Sequence, residues 1–212
     1  MRNKPKKIKM CAICGLTDVS GSKDHLPPRK IFSDPLPKNL ITVPTCMECN
    51  NQGSKYDETF KTFLAFILGL SPVTESLYKS AISTASKKFS RYISQNMKQA
   101  VLKTSGGIIY EKGYVLPLDE KISNGFQAVI QRTTAGLYFK HFREHIGKEK
   151  KFEIRFHYVL HKEMIETLNF GYNRIGNQFS YLYSKTCPTE NFLSLWLFEF
   201  YERFWVSCAV TE

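Results

Sequence analysis

Cys11-Ala12-Ile13-Cys14 and Cys46-Met47-Glu48-Cys49 decide how this chain begins to fold. Each C-x2-C pair makes a tight knuckle, and two pairs supply four thiolates that converge on one tetrahedral zinc at about 2.3 Å. Between them stands Lys23-Asp24-His25-Leu26-Pro27-Pro28-Arg29, and Asn50 follows the last cysteine directly. A simple zinc ribbon separates its knuckles by about 15 to 20 residues, whereas 31 residues separate Cys14 from Cys46. Further structure is therefore expected between the knuckles, with Asp24, His25 and Asn50 as its working groups.

The stretch from residue 1 to about 55 is rich in Cys, Pro, Lys and Asn and has too few apolar residues for a large core. Metal coordination is expected to replace that core, because zinc binding to unfolded thiolates releases on the order of 10 kcal/mol as folding energy. Cys187 and Cys208 lie far from the knuckles in apolar sequence. This usage favours metal over disulfides and a cytoplasmic location. The basic N-terminus is followed by a short, cysteine-bearing apolar stretch that is no export signal. The apolar run Phe63 to Leu70 is far below the about 20 residues that span a bilayer, so a soluble protein is expected. Lys and Arg number 30 against 19 Asp and Glu, for a formal charge of +11. Such a surface attracts polyanions, with association that weakens in salt.

From Tyr56 the pattern turns helical: Phe60, Phe63, Leu64, Ile67 and Leu68 recur at three- and four-residue spacing, with Ser54 and Asp57 placed as a capping box. A second helix is expected over Val73 to about Ser83 and a third near Ala85 to Lys103, the latter with a basic side of Lys87, Lys88, Arg91 and Lys98. Ile108 to Leu116 reads as a hairpin around Glu111-Lys112-Gly113, and Ile122 to about Ile146 as a further helix. Phe152, Ile154, Phe156 and Tyr158 alternate with polar residues, and Phe179, Tyr181 and Tyr183 alternate again, both at strand period. Phe192 to Tyr201 is nearly continuous apolar sequence and reads as strand, with a buried helix as the alternative. The aromatic residues here are read as core rather than as a base-stacking platform.

The first 58 residues resemble the HNH endonucleases, whose ββα-metal core runs from a C-x2-C through an Asp-His-x-x-Pro strand to a second C-x2-C followed by His or Asn. The matching pieces are Cys11/Cys14, Asp24-His25-Leu26-Pro27-Pro28, Cys46/Cys49 and Asn50, with Asn51, Ser54 and Lys55 in the polar continuation. The resemblance implies a zinc-stapled treble-clef module over residues 1–58 and says nothing about the rest; with the periodicity of 59–212, which reads as helices and a mainly antiparallel sheet, an α+β protein is expected. The second portion would select substrate, mediate homodimerisation or bind a protein partner. It further implies phosphodiester hydrolysis, with DNA as the expected nucleic acid and RNA the other candidate.

In that reading Zn²⁺ is structural, and Asp24 and Asn50 hold a catalytic Mg²⁺ or Mn²⁺, hard cations that prefer oxygen ligands. His25 is the general base, since a neutral imidazole takes a proton from water near pH 7. Adjacent residues of a flat strand point to opposite faces, so Asp24 and His25 need a bulge or a strand end to reach one phosphate. Lys23, Arg29, Lys30 and Lys55 are candidate phosphate contacts. The family sets an Asn about five residues before the second knuckle to orient the histidine; Asn39 stands seven before Cys46. A backbone carbonyl is the alternative partner for the imidazole.

Two other readings compete. The zinc module could be non-catalytic and bind DNA or protein, with Asp24-His25 serving as a polar turn. His141-Phe142-Arg143-Glu144-His145 also fits H-x-x-E-H, an inverted zinc-peptidase signature that requires both histidines on one helical face.

Overall fold

Three short strands carry the knuckles and the Asp-His pair. In a computed structural model, which describes residues 6–84, 91, 95, 98–103, 109–115, 120–157, 170–185 and 192–212, β1 (Lys6–Met10), β2 (Thr17–Leu26) and β3 (Ile41–Cys46) form an antiparallel sheet in the order β1-β2-β3. Along the end of β2, Asp24 and Leu26 are buried while Lys23 is exposed and His25 is intermediate, the alternation that a pleated strand imposes. The proline-bearing link from β2 to β3 contains a 3₁₀ turn, Arg29–Ile31, and buries Ile31 and Phe32.

Helix α1 (Met47–Leu68) leaves directly from the second knuckle. Cys46 is its N-cap, and its Sγ accepts the Cys49 N–H at 3.4 Å. The sequence pattern placed this start near Tyr56 with a Ser54/Asp57 capping box. Instead the knuckle nucleates the helix well before that point, and Asp57 is spent in its interior on a different partner. Phe60, Phe63, Leu64 and Leu68 form the buried stripe as expected, and the helix stops at Gly69. The division at residue 58 falls inside this unbroken helix.

α2 (Glu75–Thr84) matches the second expected helix. The third does not extend to Lys103: β4 (Lys98–Lys103) pairs with β5 (Ile109–Val115) in a two-stranded antiparallel sheet. Of residues 85–97 only Arg91 and Gln95 are described, both helical, so Lys87 and Lys88 lie outside the described residues. Glu111-Lys112-Gly113, read as a turn, lies within β5, because the pairing partner of that strand is the segment read as helix.

α3 (Glu120–Phe142) precedes a five-stranded antiparallel sheet in the order β6-β10-β9-β8-β7. Its strands are β6 (Lys151–His157), β7 (Gly171–Ile175), β8 (Phe179–Ser184), β9 (Phe192–Phe200) and β10 (Phe204–Thr211). The apolar run Phe192 to Tyr201 is thus strand, paired on both sides. Its residues are buried or half-buried on both faces, which explains why no clean alternation is seen. The protein is α+β.

One core joins the N-terminal strands to the rest. Ala12, Leu26, Ile41 and Val43 belong to the same buried cluster as Phe60 of α1, Phe126 and Leu137 of α3, and Trp196, Phe198 and Phe200 of β9. Phe60 and Phe126 meet with ring centroids 4.7 Å apart. At Gly136 a Cβ would overlap a Leu26 methyl, so only glycine lets α3 seat this closely on β2. At the other end of the loop, the Tyr201 hydroxyl donates to the Ile31 carbonyl at 2.6 Å. The C-terminal sheet therefore holds the β2–β3 link in place.

Candidate functional site

The four knuckle sulfurs lie within 4.8 Å of one another. Cys14 Sγ and Cys46 Sγ are 3.7 Å apart, close to the edge of about 3.8 Å that follows from four thiolates at 2.3 Å around a tetrahedral ion. Main-chain donors support the sulfurs, with Cys46 N–H on Cys11 Sγ at 3.2 Å. Burial pushes the Cys11 thiol up, but the amides of Cys14, Cys46 and Ile13 outweigh it and hold the group below its ordinary value. Burial and the neighbouring sulfurs push Cys49 up. Crowded sulfurs of this kind become thiolates together only around a cation. The cluster is compatible with a structural metal site.

Below the knuckles, β2 and β3 pair without a break: Lys23 faces Pro44, Asp24 faces Val43, His25 faces Thr42 and Leu26 faces Ile41. There is no bulge at the Asp-His pair. His25 is instead the penultimate residue of the strand, and among the described residues β1 pairs with β2 only as far as Gly21. Asp24 Oδ1 accepts the His25 main-chain N–H at 2.9 Å, which draws the carboxylate along the strand toward His25. Asn50 of α1 donates from Nδ2 to Ser22 Oγ at 2.8 Å. Ser22 and Asp24 share a strand face, so Asn50 and Asp24 lie on the same side of β2, with the Asn50 carbonyl oxygen left as its acceptor.

His25 is held below its ordinary value, first by burial and then by the neighbouring Arg29, with Asp24 opposing. The imidazole is therefore neutral at pH 7. Of the other basic candidates, Lys23, Arg29 and Lys55 are exposed, while Lys30 pairs with Glu58 at 3.0 Å. Asn39 does not turn toward His25: its Nδ2 donates to the Arg174 carbonyl at 2.8 Å and ties the loop to β7.

The residue that sequence reading missed is Arg132. It comes from α3, more than a hundred positions along the chain from Asp24, and its side chain is 6% exposed. Its Nε stands 3.7 Å from Asp24 Oδ2, and its Nη2 donates to Asp57 Oδ1 at 2.5 Å. Asp24 Oδ2, Arg132 Nε and Arg132 Nη1 are buried and have no hydrogen-bond partner among the described residues. Burial raises both Asp24 and Asp57 above the usual carboxylate range, and Arg132 opposes that rise without cancelling it. A Cβ at Gly53 would collide with Arg132 Nη1, so the glycine inside α1 makes room for the guanidinium. A faint signal existed: Asn50, Gly53 and Asp57 recur at helical spacing on one face. Nothing local pointed to Arg132.

The H-x-x-E-H segment does not form one face. α3 ends at Phe142 and Arg143 has φ +59°, so His145 lies beyond the helix. His141 Nε2 is 2.8 Å from the Tyr181 hydroxyl, and its ring stacks on Tyr183. His145 Nε2 meets the Ile13 carbonyl at 3.1 Å and buttresses the first knuckle. Glu144 pairs with Lys185 at 2.7 Å. These groups are engaged in three different directions. His157 bonds Ser207 Oγ at 2.8 Å, and His161 and Cys187 lie outside the described residues. No helix among the described residues is long and apolar enough to cross a membrane.

Comparison with protein-family models, curated proteins and solved structures finds no match to this chain.

Proposed function

We propose that this protein is a metal-dependent endonuclease of the HNH type, with a zinc-stapled treble-clef module that hydrolyses phosphodiester bonds in DNA. The observation that carries the reading is that the four-cysteine cluster brackets the strand bearing Asp24 and His25 and starts the helix bearing Asn50. The second knuckle starts α1 and so delivers Asn50 to the Ser22–Asp24 face of β2, while His25 stands neutral at the end of that strand beside Arg29. The four soft thiolates suit zinc.

The oxygen donors fit a hard divalent cation. Asp24 Oδ2 is a buried acceptor without a hydrogen bond, and the Asn50 amide is oriented by Ser22 with its carbonyl oxygen remaining. Mg²⁺ or Mn²⁺ held there by Asp24 and Asn50 would supply charge stabilisation to the reacting phosphodiester. Everything else is done by side chains of the chain itself. His25 takes the proton from the attacking water, and its depressed basicity keeps it unprotonated at neutral pH. The hydrogen bond from the His25 amide fixes the Asp24 carboxylate beside it. A phosphodiester approaching the end of β2 would meet the imidazole, with Arg29 as a contact for the strand. The formal charge of +11 favours encounter with the polyanion.

The test is nicking of supercoiled and single-stranded DNA with Mg²⁺ or Mn²⁺, comparing the unaltered protein with H25A, both verified to retain zinc. Cation-dependent nicking that H25A loses supports the assignment. Salt-sensitive binding without products, from folded and zinc-loaded protein, would instead make it a non-catalytic zinc module. That reading has its own support in the burial of Asp24, which is 8% exposed.

A further inference from the structure

The buried trio of Asp24, Arg132 and Asp57 is peculiar in that its ion pairs are unequally made. Arg132 is anchored to Asp57 by a short hydrogen bond, whereas toward Asp24 it offers charge at 3.7 Å and no hydrogen bond. Leaving Asp24 therefore breaks no hydrogen bond. Arg132 also lines a cleft of about 260 Å³ between α1 and α3, together with Gln52, Gly53, Tyr56, Gln131 and Lys148.

We infer that Arg132 is a built-in counter-ion of Asp24 that a divalent cation has to displace. The inference rests on the nuclease reading above, and it explains why a carboxylate assigned to a cation is shut against an arginine. Charge balance supplies the drive. The single negative charges of Asp24 and of a phosphodiester together balance a divalent cation, and Arg132 is left to balance Asp57. With Arg132 Nε still 3.7 Å from Asp24 Oδ2, guanidinium and cation would repel each other at close range, which a low-dielectric interior penalises. Cation and substrate are thus favoured together over either alone. The second part of the chain, through α3, thereby sets the cation affinity of the N-terminal strands.

The test is Mn²⁺ binding to zinc-loaded protein, followed by electron paramagnetic resonance, with D24N to identify the site and thermal melting to verify the fold. Relative to the unaltered protein, R132Q is expected to tighten Mn²⁺ about tenfold, and D57N to weaken it about tenfold because the released guanidinium then pairs fully with Asp24. R132K keeps the charge and is expected to stay within about threefold. A purely structural role would lower melting temperatures and leave all these affinities alike. An Asp24-dependent Mn²⁺ site that R132Q leaves unchanged or weakens overturns the inference while the nuclease reading stands; should R132Q fail to fold, unchanged or tighter binding in D57N does the same. No Asp24-dependent Mn²⁺ site in either the unaltered protein or folded R132Q overturns both.

Discussion

Replacing Arg132 with methionine should cost this protein more stability than any surface substitution, and the structure says how much. The side chain is 6% exposed, and its two carboxylate neighbours are 10% and 14% exposed. Methionine matches the aliphatic stem but strands both acids without a counter-charge. Breaking a buried ion pair by removing one partner costs about 3–5 kcal/mol. In a chain of this size that corresponds to roughly 6–20 °C in melting temperature, at about 2–4 °C per kcal/mol. The pH dependence should change as well. Both acids are already raised in the folded state by burial, so the folded protein binds more protons than the unfolded one, and stability rises as pH falls through their folded values. Without Arg132 both values rise further. R132M should therefore be weakest at pH 8 and recover as pH drops toward 5. Urea unfolding of the zinc-loaded proteins at several pH values measures this, and a double-mutant cycle with D57N isolates the pair. The triple variant D24N/D57N/R132M should regain most of the loss, since no buried charge remains. A loss under 1 kcal/mol at pH 8, or a loss that does not shrink on acidification, would refute the assignment of a buried, charge-dependent trio.

Four further outcomes are expected. Metal removal with a strong chelator should expose tryptophan and abolish cooperative unfolding of the whole chain, because Ala12, Leu26 and Val43 share a core with Trp196; circular dichroism and fluorescence followed together measure it. Cleavage should rise with pH through a value below 6.5 and level off by pH 7, as expected for a His25 depressed by burial and Arg29, and H25A should lower the rate by about 10² to 10⁴. R29A should weaken DNA binding and reduce the slope of log affinity against log salt by about 1, read by fluorescence anisotropy at several salt concentrations. A fragment ending at residue 58 should not fold even with zinc, since it cuts α1 and removes the α3 surface that Leu26 packs on; its amide spectrum would remain that of an unfolded chain.

The knuckles were legible in the sequence because their chemistry is written in local spacing. Cys11, Cys14, Cys46 and Cys49 do converge, since two short knuckles leave few ways to satisfy four sulfurs. The apolar stripe of α1 and the alternation in β6 and β8 were legible for the same reason: the period of a helix or half-buried strand is a property of neighbours. Boundaries were less so. The start of α1 moved because the cysteine knuckle, with Cys46 as N-cap, and not a capping box begins it. Residues Lys98–Lys103 became strand because β5 offers them a ladder that helical spacing could not reveal.

Tertiary structure alone decided what surrounds Asp24. The sequence determined that a carboxylate precedes a histidine between two metal knuckles; it did not determine that Arg132 would stand beside it, because that contact joins residues from β2 and α3 whose proximity is set by the packing of Gly136 on Leu26. Nor could spacing show that Asn39 serves β7 or that His145 braces a knuckle. Metal geometry is local and survives in a one-dimensional pattern, whereas charge compensation in a buried site depends on which distant element the core brings against it.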